Sequence, residues 1–357
     1  MTRPDRPAAS WTASADVTRQ QSPTSTWPAQ HHRPGAGDWT QRLWNSAALG
    51  LRLLVATTRY RRRYPLTTRA LRSAFLRLLR GAWYTDYQAN LLVTEAQIDR
   101  FLVDGWEYAE PRLTLLVQVT GLPIDGSTVQ ALVDLRARME TVRSGEFDQV
   151  VGAVYRDPFY PVFQHVGQTF RNRVQGREPF VLRLLAGIDP PLRSICDVGC
   201  GCGILLGDVL QRFRQVHGYG IDVSDVMLDH ARRVLDTWGV GERASFLRGD
   251  LRHVPLSGGS CDAVLAMEVL EHLPHPAAGL EELVRIVKPQ GWLITSIPVA
   301  DAAPVHLHVF RSVDEVLTLH RAAGLDVIHY QATDVAPGVP NVLVAARRRA
   351  VGSDGDG

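Results

Sequence analysis

Lysine is almost missing from the 357-residue sequence: Lys288 stands alone against 38 arginines. A ratio that lopsided points to coding bias, so an arginine here is read first as a positive charge and not as a planar fork selected at each site. Long apolar runs are missing too. The longest stretches, such as Leu49–Ala56 and Leu113–Leu122, fall short of the ~18–20 residues that a bilayer crossing needs. No apolar leader follows Met1, and the four cysteines make no disulfide framework, so the expected compartment is a reducing cytoplasm. With 45% apolar residues a core can form, which excludes a wholly disordered chain. The length suits two units, or one domain with a large appendage.

Acidic residues are absent from one region. Gln41 to Arg80 holds ten arginines and no Asp or Glu. Residues 1–100 carry a net charge of +9 and the remainder −7, so the total of +2 hides two unlike parts. Such a block suits an anionic membrane surface, an acidic protein partner or, less well, a nucleic-acid backbone. Within it Leu71, Phe75, Leu78 and Leu79 fall at helical spacing with arginines between them. That pattern reads either as a membrane-surface helix or as a packed helix with a solvated basic face.

Residues 1–40 are rich in Pro, Ser, Thr, Ala and Gln without apolar periodicity, and read as a disordered arm. Residues 41–179 read as a helical accessory or lid region. Thr94 and Gln97 open one helix as a capping box, and Ser127 to Val142 forms another, with Val129, Leu132, Leu135 and Met139 on one stripe. Phe147, Tyr155, Phe159, Tyr160, Phe163 and Phe170 then follow within 24 residues. They form either a lid over a site or the glue between the helices and the next unit. From residue 180 to 350, short β-branched runs alternate with helical ones, starting with strand Ser194–Val198 and helix Ile204–Gln215. That alternation predicts an α/β domain with a doubly wound, mostly parallel sheet. Residues 351–357 read as a loose tail.

The informative segment is Ile195-Cys196-Asp197-Val198-Gly199-Cys200-Gly201-Cys202-Gly203, a strand running into three alternating glycines. Glycines allow positive φ and let a ligand approach the backbone. The dinucleotide pattern Gly-x-Gly-x-x-Gly fails in both frames, at Ile204 and at Leu206, and no Gly-Lys-Ser/Thr follows. The carboxylate of Asp197 disfavours a pyrophosphate and suits a ligand with an ammonium group. Cys-x3-Cys-x-Cys is not a zinc spacing, so the cysteines read as small residues filling a tight turn.

Further motifs follow in order: Tyr219-Gly220-Ile221-Asp222 closing the second strand 19 residues after Gly203, Arg248-Gly249-Asp250-Leu251 after the third, Cys261 to His272 through the fourth, and Val287-Lys288-Pro289-Gln290-Gly291-Trp292 before the fifth. With the glycine turn they make the chain resemble the class I S-adenosylmethionine-dependent methyltransferases over about Phe180 to Arg349. The resemblance implies a Rossmann-like fold and S-adenosylmethionine as cofactor. It implies a binding set of Asp197, Gly199, Cys200, Gly201 and Gly203 at the turn. Asp222, with Val223, would take the ribose hydroxyls, Asp250 the adenine amino group, and Leu251 and Met267 would pack beside the cofactor.

Glu268-Val269-Leu270-Glu271-His272 resembles ubiquinone-biosynthesis O-methyltransferases in particular, and also small-RNA 2′-O-methyltransferases. In those groups a matching Glu-x-x-Glu-His can hold a magnesium-type cation, here with His308 reaching in, whereas many relatives with similar text use none. Our reading assigns no metal and takes His272 as the catalytic residue, with Glu268, Glu271, His275 and the segment from His306 to Phe310 nearby. The function expected is O-methylation of a small acceptor in a biosynthetic pathway. The alternatives are an RNA or peptide methyltransferase docking through the basic region, and a catalytically inactive cofactor-binding scaffold.

Overall fold

The computed structural model describes residues 105–121, 126–141, 154–301, 305–336 and 339–350. The arm, the arginine block, the helix opened by Thr94, Phe147 and the tail lie outside the described residues. Among the described residues four helices come first: α1 (Trp106–Thr120), α2 (Gly126–Thr141), α3 (Tyr160–Val174) and α4 (Arg177–Ala186). The alternating unit follows as β1 (Ser194–Val198), α5 (Ile204–Arg212), β2 (His217–Asp222), α6 (Asp225–Thr237), β3 (Ala244–Arg248) and β4 (Cys261–Met267). It continues through α7 (Pro276–Ile286), β5 (Val287–Pro298), α8 (Val313–Ala322), β6 (Leu325–Ala336) and β7 (Val339–Arg348).

The strands form one sheet in the order β3-β2-β1-β4-β5-β7-β6. β1 to β5 pair in parallel, while β7 inserts antiparallel between β5 and β6. This is the doubly wound, mostly parallel sheet that the alternation predicts. Strand periodicity sorts the core. In β1, Cys196 and Val198 face one apolar layer and Ile195 the other. In β7, Val342, Val344 and Ala346 face the first layer, and Leu343 and Ala345 the second. Side chains alternate across a strand, so a strand buried on both faces must be apolar throughout. Helix termini follow local chemistry: the Ser224 hydroxyl accepts from the Met227 amide to start α6, and Ser312 does the same for Glu315 at α8.

A third apolar cluster joins the leading helices to the sheet. Leu132 and Leu135 of α2 and Tyr160, Phe163 and Phe170 of α3 pack with Ile204 and Met227. A polar junction lies alongside. Arg112 of α1 forms a buried ion pair with Asp208 of α5, which also accepts from the Tyr108 hydroxyl at 2.9 Å. The His165 Nε2–H donates to the Arg112 carbonyl at 2.7 Å, so its bare Nδ1 accepts from His230 Nε2–H on α6 at 3.0 Å. Burial holds both rings neutral, with His165 lowered to about 4. Among the described residues no helix is long and apolar enough to cross a membrane.

Candidate active site

Strand order reverses between β1 and β4, which opens a crevice at the carboxyl ends of the strands, the place where open α/β sheets bind ligands. The glycine turn sits there and is fixed from within. The amides of Gly199 and Cys200 both donate to the Ile221 carbonyl, at 2.8 and 3.0 Å. The Gly201 amide donates to one carboxylate oxygen of Asp222 at 3.0 Å, and the Ser224 amide to the other at 2.9 Å. Gly203 has a different task. At φ +72° it starts α5, and a Cβ there would lie 3.0 Å from both Ala231 Cβ and Leu235 Cδ1, so its lack of a side chain lets α5 approach α6.

A pocket lies over this turn. Asp197, Gly199, Cys200 and Gly201 line it from β1, Asp222 and Val223 from β2, and Leu251 and Met267 from the next two strand ends. Gly203 and Asp250 are not in its lining. The Asp250 carboxylate is held by Arg252, accepting from its amide at 2.8 Å and its Nε at 2.9 Å, while its neighbours Gly249 and Leu251 reach the pocket. Burial, with the Asp222 charge added, pushes Asp197 up to about 8. Burial also pushes Asp222 up to about 6, against the pull of the three amides it accepts from. Two buried carboxyls beside a glycine-rich turn fit a ligand that brings a cation and hydroxyls.

The other half of the pocket is lined by Tyr155, Tyr160 and Phe163, which also belong to the apolar cluster under the leading helices. The aromatic stretch therefore both lines the site and joins the two parts of the fold. His272 faces this half. Its Nδ1–H donates to the Val305 carbonyl at 2.9 Å, with the Tyr155 hydroxyl oxygen 3.3 Å away, which leaves Nε2 as the bare nitrogen. Burial, and then the neighbouring His306, lower His272 to about 3, so the ring is neutral throughout the physiological range.

Glu268 takes another role than the one the Glu-x-x-Glu-His text suggests. At φ +56° it directly follows β4 and is gripped by Arg177 at 2.5 Å, Arg171 at 3.6 Å and the Asn341 amide. Burial alone would push its carboxyl up, but the two guanidinium groups outweigh it and hold it below the usual range. Glu271 is buried behind the lining, its carboxyl raised by burial and by Glu268, and neither of its oxygens has a hydrogen-bond partner. One ligand atom each from Glu271, His272 and His306 lies within 4.8 Å of the others, so these three could hold a cation. His308 is not part of that group: it turns toward Glu315, 3.4 Å away, and His306 takes its place in the pocket. His275 starts α7 and stays outside the lining.

A family model described as a methyltransferase domain matches residues 195–291. The uncharacterized methyltransferase YdaC of Bacillus subtilis is 31% identical over 146 residues, a stretch that covers 40% of this chain and 77% of YdaC. The chain belongs to the class I S-adenosylmethionine-dependent methyltransferase family. The sterol 24-C-methyltransferase erg6 of Aspergillus fumigatus is 26% identical over 181 residues, 46% of this chain and 47% of that protein. The chain spans about half or less of the first curated relatives it matches. Among solved structures, the [4+2]-cyclase SpnF aligns with a TM-score of 0.45 at 19% identity, over 51% of this chain and 83% of that one.

For a methyltransferase of this family the two raised carboxyls have a measurable consequence. Asp197, pushed up to about 8, would have to ionise to face the cofactor's ammonium group in the role the resemblance implies. Binding S-adenosylhomocysteine, which keeps that ammonium group, should release a proton. Affinity should therefore rise between pH 6 and 8, by up to about tenfold per unit. Calorimetry in buffers of different ionisation enthalpy measures the proton count, and proton uptake or a flat profile would remove Asp197 from the ammonium site.

Gln164, Gln168, Arg171, Asn172 and Arg177 also line the pocket, and no motif pointed to them. The one available signal was the spacing of Gln164, Gln168 and Arg171, four and three apart, which puts them on one face of the helix.

Proposed function

We propose that the chain methylates an oxygen of a small acceptor in a biosynthetic pathway, with S-adenosylmethionine as the donor. The observation that carries this reading is the single pocket running from the glycine turn to His272 and roofed by Tyr155, Tyr160 and Phe163, all buried. A small molecule with an apolar or planar body fits such an enclosure. The sterol relative, named for a small apolar acceptor, supports the class of substrate.

S-adenosylmethionine, when bound, supplies a methyl group on sulfur that is already activated for displacement. What the protein adds is alignment and exclusion of water. The aromatic wall holds the acceptor against the turn. His272 lines this half with Nδ1 fixed by the Val305 carbonyl, and its remaining nitrogen, Nε2, accepts a hydrogen bond from an acceptor hydroxyl as that oxygen attacks the methyl group. The low basicity of His272 suits a partner that orients a hydroxyl without being charged beforehand. Burial also keeps the Tyr155 hydroxyl protonated, so it is a neutral neighbour.

The test is turnover on a panel of hydroxylated small molecules, read as S-adenosylhomocysteine formed together with a product heavier by one methylene. With an acceptor found, His272→Ala should lower kcat by about 100- to 1,000-fold while S-adenosylhomocysteine affinity stays within about twofold. Undiminished kcat would refute the oxygen assignment through His272. Cofactor binding with no turnover on any acceptor would favour the inactive scaffold.

A further inference from the structure

The amino-acid end of the proposed donor carries a carboxylate as well as an ammonium group, and four of the five amides of the glycine turn are already committed elsewhere. The amides of Gly199, Cys200 and Gly201 are committed to Ile221 and Asp222, and that of Gly203 to the Cys200 carbonyl. Asp197 in the same turn repels a second carboxylate. A carboxylate brought there needs charged or amide donors from another element.

Two guanidinium groups line the pocket, those of Arg171 and Arg177. Arg177 is buried against Glu268 at 2.5 Å. Arg171 approaches the same carboxylate less closely, at 3.6 Å, and donates to Gln164 Oε1 at 3.0 Å. It lines the same pocket as Gly199, Cys200 and Gly201 at the end of β1 and Met267 and Glu268 at the end of β4. Gln168, one turn earlier on α3, lies directly on the glycine turn: a Cβ added at Gly201 would collide with its side-chain amide. Gln164, Gln168 and Arg171 thus present one polar face of α3 to the turn.

We infer that α3, and not the glycine turn, recognises the carboxylate of the bound methyl donor, with Arg171 as the charged partner and Gln168 as the amide donor beside it. The inference rests on the cofactor reading above. It puts half of the recognition of the amino-acid end outside residues 195–291, the part that matches the family model. Cofactor binding and docking of α3 are then one event, since α3 also carries the aromatic wall.

The experiment is calorimetry on the full chain with three ligands: S-adenosylhomocysteine, its decarboxylated analogue, and 5′-methylthioadenosine, which lacks the whole amino-acid end. Wild type should bind S-adenosylhomocysteine at least about tenfold more tightly than the decarboxylated analogue, the scale of a lost charge-assisted hydrogen bond. Arg171→Met should erase that difference and leave 5′-methylthioadenosine affinity within about twofold, and Arg171→Lys should restore part of it. Equal wild-type affinity for the first two ligands overturns the inference, and needs no variant to fold. So does Arg171→Met retaining full discrimination, or losing all three ligands alike, which marks a structural role. Gln168→Leu provides a second variant, expected to weaken S-adenosylhomocysteine selectively. If wild type binds none of the three, the cofactor reading itself fails.

Discussion

Asp222→Ala should weaken S-adenosylhomocysteine binding by about a hundredfold or more, with the fold retained. The family resemblance gives Asp222 both ribose hydroxyls, and hydrogen bonds to a charged group each contribute about 1.5–3 kcal/mol. The structure adds a second reason. One Asp222 oxygen anchors the Gly201 amide and the other the Ser224 amide, so the same carboxylate holds the glycine turn against β2 and the first turn of α6. Alanine therefore removes a ligand contact and loosens the surface that the rest of the cofactor rests on. Asp222→Asn separates the two effects. It retains one oxygen to accept from an amide but loses the charge, so it should fall between alanine and wild type. Calorimetry gives the affinities and a thermal melt checks the fold. A loss below about tenfold for Asp222→Ala would mean that the ribose lies elsewhere.

The place of Asp222 was legible in the sequence because its surroundings are local: a short Tyr219-Gly220-Ile221 strand, an acid at its end, and a glycine turn 19 residues earlier. The sheet was legible for the same reason, since each strand and the helix after it form a short unit with its own periodicity. Asp250 shows where that reasoning stops. Its place after β3 follows from sequence, but Arg252, two residues on, turns the carboxylate away from the pocket lining while Leu251 stays in it. At the end of β4 the letters Glu268 to His272 carry less than they suggest, because Arg171 and Arg177, nearly a hundred residues away in sequence, decide that Glu268 is an ion-paired anion. His306 and His308 sit in a turn whose Leu307 and His308 amides both donate to the Glu271 carbonyl, so which of the two faces the pocket depends on that long-range contact. Contacts of this range leave no periodic trace, so the arginine grip on Glu268 and the choice of His306 over His308 emerged only from the fold, although the aromatic stretch and His272 were legible beforehand.

Asp208→Leu is expected to destabilise the protein by about 3–5 kcal/mol, because it leaves the Arg112 guanidinium buried without its counter-ion. The side chains are 11% and 4% exposed, so water does little to replace the lost partner. Arg112 has few other places to turn. It donates to the Tyr108 carbonyl at 2.7 Å and lies 3.4 Å above the Tyr108 ring, whose hydroxyl also accompanies Asp208. Burial pushes Asp208 up to about 6 even with Arg112 pulling the other way, so at neutral pH the pair is charged. The double variant Arg112→Met/Asp208→Leu removes both charges and keeps apolar bulk, so it should recover much of the loss. Urea unfolding of the two single variants and the double completes the cycle. Additive losses, or a loss below about 1 kcal/mol for Asp208→Leu, would show that the apolar cluster alone docks the helices. Strong coupling would make Arg112–Asp208 the tie between α1 and α5, and α5 follows directly on Gly203, the last residue of the glycine turn. A loosened junction should then weaken S-adenosylhomocysteine binding as well, although neither residue lines the pocket.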